Sequence, residues 1–237
     1  MDRPKALGFL GGAFDPIHKG HLHMAQVVRR YFNLDKIYLI PNACPPHKQG
    51  SFSSYQDRLQ MSKLALQSLN CRQYQVSTLE EESTQRHYTY DTLSKLRAHY
   101  GADARLFFIL GMDSLLQLHT WHRGLELTDF AHLVVLTRPG YRFDLQQIND
   151  RVLKAYLSAH LVPFDPHQQN FKQATMLPLG KIFLVPSRED DVSSTQLRAQ
   201  LAALSVQASP TAPLVHNMLS EPVLNYIRTH QLYRPKN

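Results

Sequence analysis

"ALGFLGGAFDPIHKGH" occupies residues 6–21 of the chain. A short apolar run is followed by two glycines, an Asp-Pro pair and the histidines His18 and His21. The apolar run predicts a buried strand, and the spacing of apolar residues over 20–32 predicts a helix. The stretch between them is therefore predicted to be the loop at the carboxyl end of the first strand.

The same alternation of strand and helix patterns continues along the chain. Strands are predicted at 5–10, 36–41, 74–78, 106–110, 132–136 and 181–185, and helices at 20–32, 54–69, 89–100, 194–204 and 220–230. Strands that are apolar at nearly every position are typical of parallel sheets covered on both faces. We predict a Rossmann-like, doubly wound α/β fold in a single domain, 1–237, with an insertion at about 141–180 and a C-terminal helical part at about 193–237.

Within that insertion, the residues 145–161 are predicted to be helical and the residues 162–180 to form a loop. The helix at 89–100 is predicted to have Thr89 as its N-cap and to stop at Gly101. The helix at 220–230 is predicted to carry Pro222 in its first turn.

Composition limits the functions that the chain can have. Hydrophobic residues make up 43% of its 237 residues, which is typical of a globular protein with a sizeable core. The net charge of +7 favours anionic partners, but the basic residues are scattered, which argues against nucleic acid and leaves small phosphorylated ligands. No segment approaches the apolar length of a membrane helix or a signal peptide, so we expect a cytoplasmic protein.

The two cysteines give no strong signal. Cys44 and Cys71 match no metal-ligand spacing and indicate reduced thiols, although a single bridge between them stays open. A homo-oligomer is compatible with the sequence, which gives no oligomeric state.

The first loop has the features of an anion site. Ligands of doubly wound sheets bind beyond the carboxyl ends of strands, where the strand order reverses. Gly11 and Gly12 allow backbone to approach a ligand, and a helix that begins near Gly20 offers free N–H groups to an anion. His18 and His21 would both project toward that anion. The alternatives are surface or turn histidines, or a zinc site, which would need four ligands that the neighbourhood does not supply.

Two stretches carry a resemblance to a known family. "GGAFDPIHKGH" resembles the GGxFDPxHxGH signature of the HxGH nucleotidyltransferase superfamily, and "VSSTQLR" at 192–198 resembles its ISSTxxR signature. The resemblance implies an ATP site. Its residues would be Gly11, Gly12, Phe14, His18, His21, Gly111, Asp113, Ser194, Thr195 and Arg198.

Four further stretches narrow the resemblance to one branch. "IPNACPPHK" (40–48), "HYTYDTL" (87–93), "GMDSLLQLHTW" (111–121) and "LTRPG" (136–140) resemble the bacterial nicotinate-mononucleotide adenylyltransferases. The implied mononucleotide-binding residues are Asn42, His47, Lys48, Tyr88, Thr89, Asp113, Trp121 and Arg138. His122 stands where many relatives have an aromatic residue, which is a departure in the nicotinate pocket.

Each of these residues also has a purely structural interpretation. Thr89 and Asp113 are suitable N-caps, and Trp121 is suited to packing in a core. Lys48 lies in a proline-rich stretch that could be a solvated loop, and Arg138 could brace the turn that follows it.

The resemblance implies that ATP and nicotinate mononucleotide are converted to deamido-NAD and pyrophosphate. His18, His21, Lys48 and Arg198 would be the catalytic residues, and Mg²⁺ would be bound through the ATP phosphates with few or no protein ligands. The alternatives are an adenylyltransferase for nicotinamide mononucleotide or phosphopantetheine, a more distant cytidylyltransferase, and a non-catalytic nucleotide sensor.

Overall fold

The computed structural model describes residues 4–43, 53–81, 88–137, 143–187, 192–206 and 213–235. Its strands are β1 Ala6–Gly12, β2 Lys36–Pro41, β3 Tyr74–Val76, β4 Arg105–Gly111, β5 His132–Thr137, β6 Leu161–Val162 and β7 Ile182–Pro186. The six strands predicted from the sequence are confirmed. The missed strand, β6, has only two residues and therefore leaves no apolar run to detect.

All seven strands form one parallel sheet in the order β3-β2-β1-β4-β5-β7-β6. From β1 the chain proceeds to one edge through β2 and β3, and from β4 it proceeds toward the other edge. The order therefore reverses between β1 and β4, which are neighbours in register, with Leu10 opposite Ile109. A crevice at the carboxyl ends of these two strands is the expected ligand position in such a sheet.

Helices cover both faces of the sheet. They are α1 Lys19–Phe32, α2 Tyr55–Gln67, α3 Thr89–Tyr100, α4 Met112–Leu116, α5 Arg151–His160, α6 Gln169–Met176, α7 Ser194–Val206, α8 Pro213–Met218 and α9 Glu221–Thr229, with 3-10 turns at Leu118–Thr120, Gly124–Asp129 and Leu145–Gln147. Helix α3 leads into Gly101, whose positive φ of 84° is a value that glycine adopts without strain. Pro222 lies in the first turn of α9, as predicted.

The core has two halves, one on each face of the sheet. One half joins α1, α2, α6 and α7–α9 to residues such as Leu10 and Phe107, and the other joins α3, α4 and α5 to residues such as Phe9 and Phe108. Successive residues of one strand thus enter opposite halves, which explains why the central strands are apolar at every position.

The segment at 141–180 is more regular than predicted. The helix predicted over 145–161 is confirmed for Arg151–His160, where Asp150 accepts a hydrogen bond from the backbone N–H of Leu153 at 2.7 Å. The loop predicted over 162–180 is wrong for α6, which packs Phe171 against Phe183 of the sheet. None of the helices in the described ranges combines the length and apolar character that crossing a bilayer requires. Cys71 is a free thiol, and Cys44 lies outside the described residues.

Candidate active site

The first loop lies at the reversal of strand order, as the sequence predicted. It leaves β1 at Gly12, makes a turn at Asp15 and Pro16 and enters α1 at Lys19. Phe14, inside this loop, is buried and has a φ of 50°, a strained conformation for a residue with a bulky side chain. Strain of this kind is found preferentially at functional sites.

His21 is fixed in the first turn of α1. Its Nδ1 accepts a hydrogen bond from the backbone N–H of His18 at 3.2 Å, and its ring meets the edge of the Phe14 ring at 5.1 Å between centroids. These contacts fix the orientation of the His21 imidazole at the edge of the first loop.

A cavity of about 270 Å³ opens beside His21 between β1 and β4, and we call it the switch-point cavity. Six residues that the sequence selected line it: Gly11, His21, Asn42, Thr89, Gly111 and Trp121. Apolar side chains such as Ile40 and Phe108 form much of the rest of its wall. A concave, mostly apolar space with a few convergent polar groups is typical of a small-molecule site.

His18 has a different environment from His21, although the two rings are 3.8 Å apart. It is the N-cap residue of α1, is 7% exposed and lines a separate cavity between α1, α2 and the C-terminal helices. Burial lowers the pKa of His18 to about 4, so the imidazole is neutral at neutral pH. His18 can therefore offer a phosphate a hydrogen bond but no positive charge.

The end of β2 forms one wall of the cavity. The backbone N–H of Asn42 donates to the carbonyl of Gly12 at 2.9 Å, which holds the two strand ends together. His47 and Lys48, predicted to follow on this loop, lie outside the described residues, as does Arg138 after β5.

The amino end of α3 forms another wall. The N-cap is Tyr88 rather than Thr89, which is the first helical residue and lines the cavity. The prediction of Thr89 as the cap is therefore wrong by one position. The backbone N–H of Tyr88 donates to Asp91 Oδ2 at 3.4 Å, which leaves the helix terminus near Thr89 as the part that faces a ligand.

Trp121 completes that side of the cavity, and His122 follows it. Trp121 lines the cavity directly after a 3-10 turn, in the loop predicted for it. The ring of His122 packs on that of Tyr88 at 4.5 Å, and the guanidinium of Arg123 lies 3.9 Å from the centroid of the Tyr90 ring and pairs with Glu126. His122, which stands where many relatives have an aromatic residue, thus packs its imidazole ring on Tyr88.

The end of β4 presents open space. A Cβ added at Gly111 would meet no atom within 4 Å, so a ligand can approach the backbone there. Asp113 is exposed in the first turn of α4, and Ser114 is the residue of that helix that lines the cavity.

Helix α7 brings the second signature onto the first loop. Ser193 caps it by accepting from the N–H of Gln196 at 3.2 Å, and Ser194 Oγ donates to the carbonyl of Pro16 at 3.1 Å. Arg198 donates through Nη1 to the carbonyl of Asp15 at 2.8 Å and through Nη2 to Thr195 Oγ1 at 3.1 Å. The two signatures, far apart in sequence, are therefore in direct contact.

Four polar or flexible residues of the cavity were missed by the sequence interpretation: Met24, Glu80, Thr92 and Ser114. The signal for Met24 was available, because it lies one turn after His21 on α1. No local pattern distinguishes Glu80 or Thr92. Among the residues that the structure describes, no group of three or more His, Cys, Asp or Glu side chains could hold a metal ion.

Comparison with known sequences gives one family. The sequence model of the cytidylyltransferase-like family matches residues 9–200. The chain is 38% identical over 229 residues to a protein of Shewanella baltica named "probable nicotinate-nucleotide adenylyltransferase", covering 97% of this chain and 99% of that one. It is also 38% identical over 236 residues to the protein of that name from Pectobacterium atrosepticum, covering 98% and 100%.

Comparison with solved structures gives the same fold. The Plasmodium falciparum nicotinic acid mononucleotide adenylyltransferase complexed with NaAD superposes with a TM-score of 0.67 at 18% identity, covering 97% of each chain. A Vibrio parahaemolyticus structure named "putative nicotinate-nucleotide adenylyltransferase" has a TM-score of 0.59 at 16% identity. These identities are too low to show more than a common fold.

Proposed function

The chain belongs to the cytidylyltransferase-like family and, within it, to the nicotinate-nucleotide adenylyltransferases, and from this premise we propose that it transfers the adenylyl group of ATP to nicotinate mononucleotide in NAD biosynthesis. The observation that carries the proposal is the likeness to the relatives named for this activity, which extends over nearly the whole chain. The position of both signatures at the reversal of strand order supports it.

The reaction exchanges one phosphoric anhydride for another. A phosphate oxygen of nicotinate mononucleotide attacks the α-phosphorus of ATP, the bond from that phosphorus to the β-bridging oxygen breaks, and pyrophosphate leaves with the electron pair. The attacking phosphate is largely ionised near neutral pH, because its second pKa is about 6. No general base is needed, and the enzyme acts by aligning the two nucleotides and stabilising charge on the transferred group.

The residues of the two signatures supply that stabilisation in this proposal. His21 contacts the α-phosphate, and neutral His18 donates a hydrogen bond to the phosphate chain. Arg198 and Lys48 provide the positive charge for the triphosphate. The position of Arg198 against the first loop supports its part, since the amino end of α1 begins three residues after the Asp-Pro turn.

The switch-point cavity holds the mononucleotide in this proposal. The amino end of α3, which is capped by Tyr88 and begins at Thr89, receives the nicotinate carboxylate, because a helix N-terminus favours negative charge. Trp121 stacks on the pyridine ring, and Asn42 hydrogen-bonds the nucleotide. His47 and Arg138 would add contacts to the mononucleotide phosphate.

On the ATP side, the proposal places the adenosine along the backbone of two loops. Gly11, Gly12, Phe14 and Gly111 form that surface, and Asp113 accepts hydrogen bonds from ribose hydroxyls. Ser194 and Thr195, at the amino end of α7, face the phosphates.

Mg²⁺ is the proposed metal ion, bound through ATP oxygens and water. Mg²⁺ keeps several waters and often relies on substrate phosphates for its other ligands, which fits a cavity without a cluster of acidic residues in the described part of the chain. When bound, the ion would neutralise charge that accumulates on the leaving pyrophosphate.

Pyrophosphate release from ATP and Mg²⁺ tests the proposal, with nicotinate mononucleotide, nicotinamide mononucleotide and phosphopantetheine supplied separately. We expect release with the nicotinate compound to exceed release with the other two at equal concentration. Preferential release with another acceptor would change the substrate and retain the reaction. Binding of ATP without release with any acceptor would indicate a nucleotide sensor instead.

A further inference from the structure

Glu80 occupies an unusual position for an acidic residue in a site for anionic substrates. It follows β3 in a turn, is only 6% exposed and lines the switch-point cavity. Its neighbour Glu81 is exposed to solvent and accepts a hydrogen bond from Gln56 Nε2 at 3.0 Å. A carboxylate is rarely buried unless its oxygens have hydrogen-bond partners, so the partners of Glu80 indicate its role.

The two oxygens of Glu80 connect the two walls of the cavity. Oε1 accepts from Thr92 Oγ1 at 2.8 Å, in the first turns of α3. Oε2 accepts from the backbone N–H of Ala43 at 3.2 Å, directly after the end of β2. Asn42, which precedes Ala43, and Thr89, one helical turn before Thr92, both line the cavity.

Ala43 is held from its other side by Arg58. Nη2 of Arg58 donates to the carbonyl of Ala43 at 3.2 Å, and Nη1 donates to the carbonyl of Ala13 at 2.8 Å. Arg58 is 2% exposed. Burial lowers the pKa of its guanidinium, while Asp15 and, more weakly, Glu80 raise it. The N–H and the carbonyl of Ala43 are therefore both held by buried charged side chains, which restrains the backbone next to Asn42.

We propose that Glu80 is a positioning residue for the mononucleotide, because it sets the separation between Asn42 on one wall of the cavity and the amino end of α3 on the other. The inference rests on the proposed function and adds to it a residue that acts through its neighbours. A carboxylate is suited to this place because it accepts from two donors at once. Both of its oxygens accept from protein donors, the N–H of Ala43 and the hydroxyl of Thr92, and through them it links the two walls.

Steady-state kinetics of the full chain tests the inference. We expect Glu80→Ala to raise KM for nicotinate mononucleotide about tenfold while KM for ATP changes less than about twofold. The reason is that the contacts of Glu80 hold the walls of the cavity proposed for the mononucleotide. Thr92→Val should raise the same KM in the same direction, and Thr92→Ser should restore it. Glu80→Gln should recover most of the affinity, because its amide oxygen accepts from Ala43 while its NH₂ donates to Thr92. Glu81→Ala is the matched control and should behave as the wild type.

A second measurement does not depend on turnover. Amide hydrogen exchange at Ala43 should accelerate in Glu80→Ala and stay unchanged in Glu81→Ala, with both proteins folded by circular dichroism.

If Glu80→Ala raises KM while Thr92→Val does not, Glu80 contacts the substrate itself and the positioning role is overturned. Unchanged exchange at Ala43 would also overturn it. If the wild type releases no pyrophosphate with nicotinate mononucleotide, the proposed function fails, and the exchange experiment still decides whether Glu80 holds the wall.

Discussion

Arg198 Nη1 donates a hydrogen bond to the main-chain carbonyl of Asp15 at 2.8 Å, across 183 positions of the sequence. Asp15 is 1% exposed, and Tyr233 donates to its Oδ1 at 2.7 Å. Burial and the charge of Asp15 raise the pKa of Tyr233, so its hydroxyl stays protonated and available as a donor. The first loop is thus shaped by residues from α7 and from the C-terminal end of the chain.

This relationship predicts two separable effects of changing Arg198. Arg198→Ala should lower kcat/KM for ATP about 100-fold, because a cation beside the triphosphate is lost. It should also lower the unfolding free energy by about 1–2 kcal/mol, because a hydrogen bond from a charged group is lost. Arg198→Lys should recover only a small part of the activity, since an ammonium cannot contact Asp15, Thr195 and a phosphate with planar geometry.

Initial rates of pyrophosphate release and urea unfolding measure these effects. The exposed Arg228→Ala serves as the control for loss of one positive charge. If Arg198→Ala loses stability but keeps its kcat/KM for ATP, the residue only docks α7 on the first loop.

Substitution of His21 should affect mainly the rate of the chemical step. His21→Ala should lower kcat at least 100-fold and raise KM for ATP less than about fivefold, because the contact to the α-phosphate strengthens as charge develops there. The unfolding free energy should fall by about 1 kcal/mol, since the N–H of His18 loses its acceptor. The exposed His167→Ala is the control. Equal losses in kcat and in ATP affinity, or nearly full activity, would contradict the role assigned to His21.

A substitution at Gly111 should leave the fold intact and obstruct ligand binding. A Cβ at this position meets no protein atom within 4 Å, and its φ of −85° suits any residue. Gly111→Ala should therefore unfold at the wild-type temperature or slightly above it, since alanine restricts the unfolded chain. Nucleotide affinity should fall several-fold, because the methyl group occupies the space left for the ligand. Thermal unfolding and isothermal titration with ATP check both parts, and unchanged affinity would place the ligand away from Gly111.

The elements that sequence patterns predicted correctly are those whose signal is local. Strands buried on both faces leave continuous apolar runs, and this is why β1, β4 and β5 were recognisable. Helix α6 was not, because only Phe171 and Ala174 form its buried side in a segment rich in proline and glutamine. The apolar signal of eight residues is too sparse there to distinguish a helix from a loop.

The residues of the candidate site were likewise predictable only where the sequence signal is local. His21, Asn42 and Trp121 belong to recognisable stretches, and the fold brings them to one cavity. Glu80 belongs to a run of three glutamates, a composition that indicates a solvated turn. Its burial follows from Thr92 and Ala43, which are distant in sequence and become neighbours only when β2 and α3 are in place.

His132 predicts how stability depends on pH. It is fully buried in β5, where Nε2 bonds to the carbonyl of Leu177 at 2.7 Å and Nδ1 accepts from the N–H of Lys181 at 3.2 Å. Neutral imidazole provides one donor and one acceptor, which matches these two partners, whereas the protonated ring would lose the bond from Lys181.

Burial lowers the pKa of His132 from 6.5 to about 4, despite the opposing effect of the Leu177 carbonyl. The folded protein therefore prefers the neutral form, and the unfolded chain takes up a proton first as the pH falls. The contribution to stability is complete above about pH 6.5 and is lost progressively between pH 6.5 and 4, by at most about 3 kcal/mol.

Urea unfolding at pH 8, 6 and 5 should show this loss in the wild type and a smaller one in His132→Asn, whose amide oxygen still accepts from Lys181 and does not titrate. Some loss should persist in that variant because buried His18 titrates with the same sign. The exposed His167→Asn should keep the full wild-type dependence, and an equal pH dependence in His132→Asn and the wild type would show that His132 does not carry the effect.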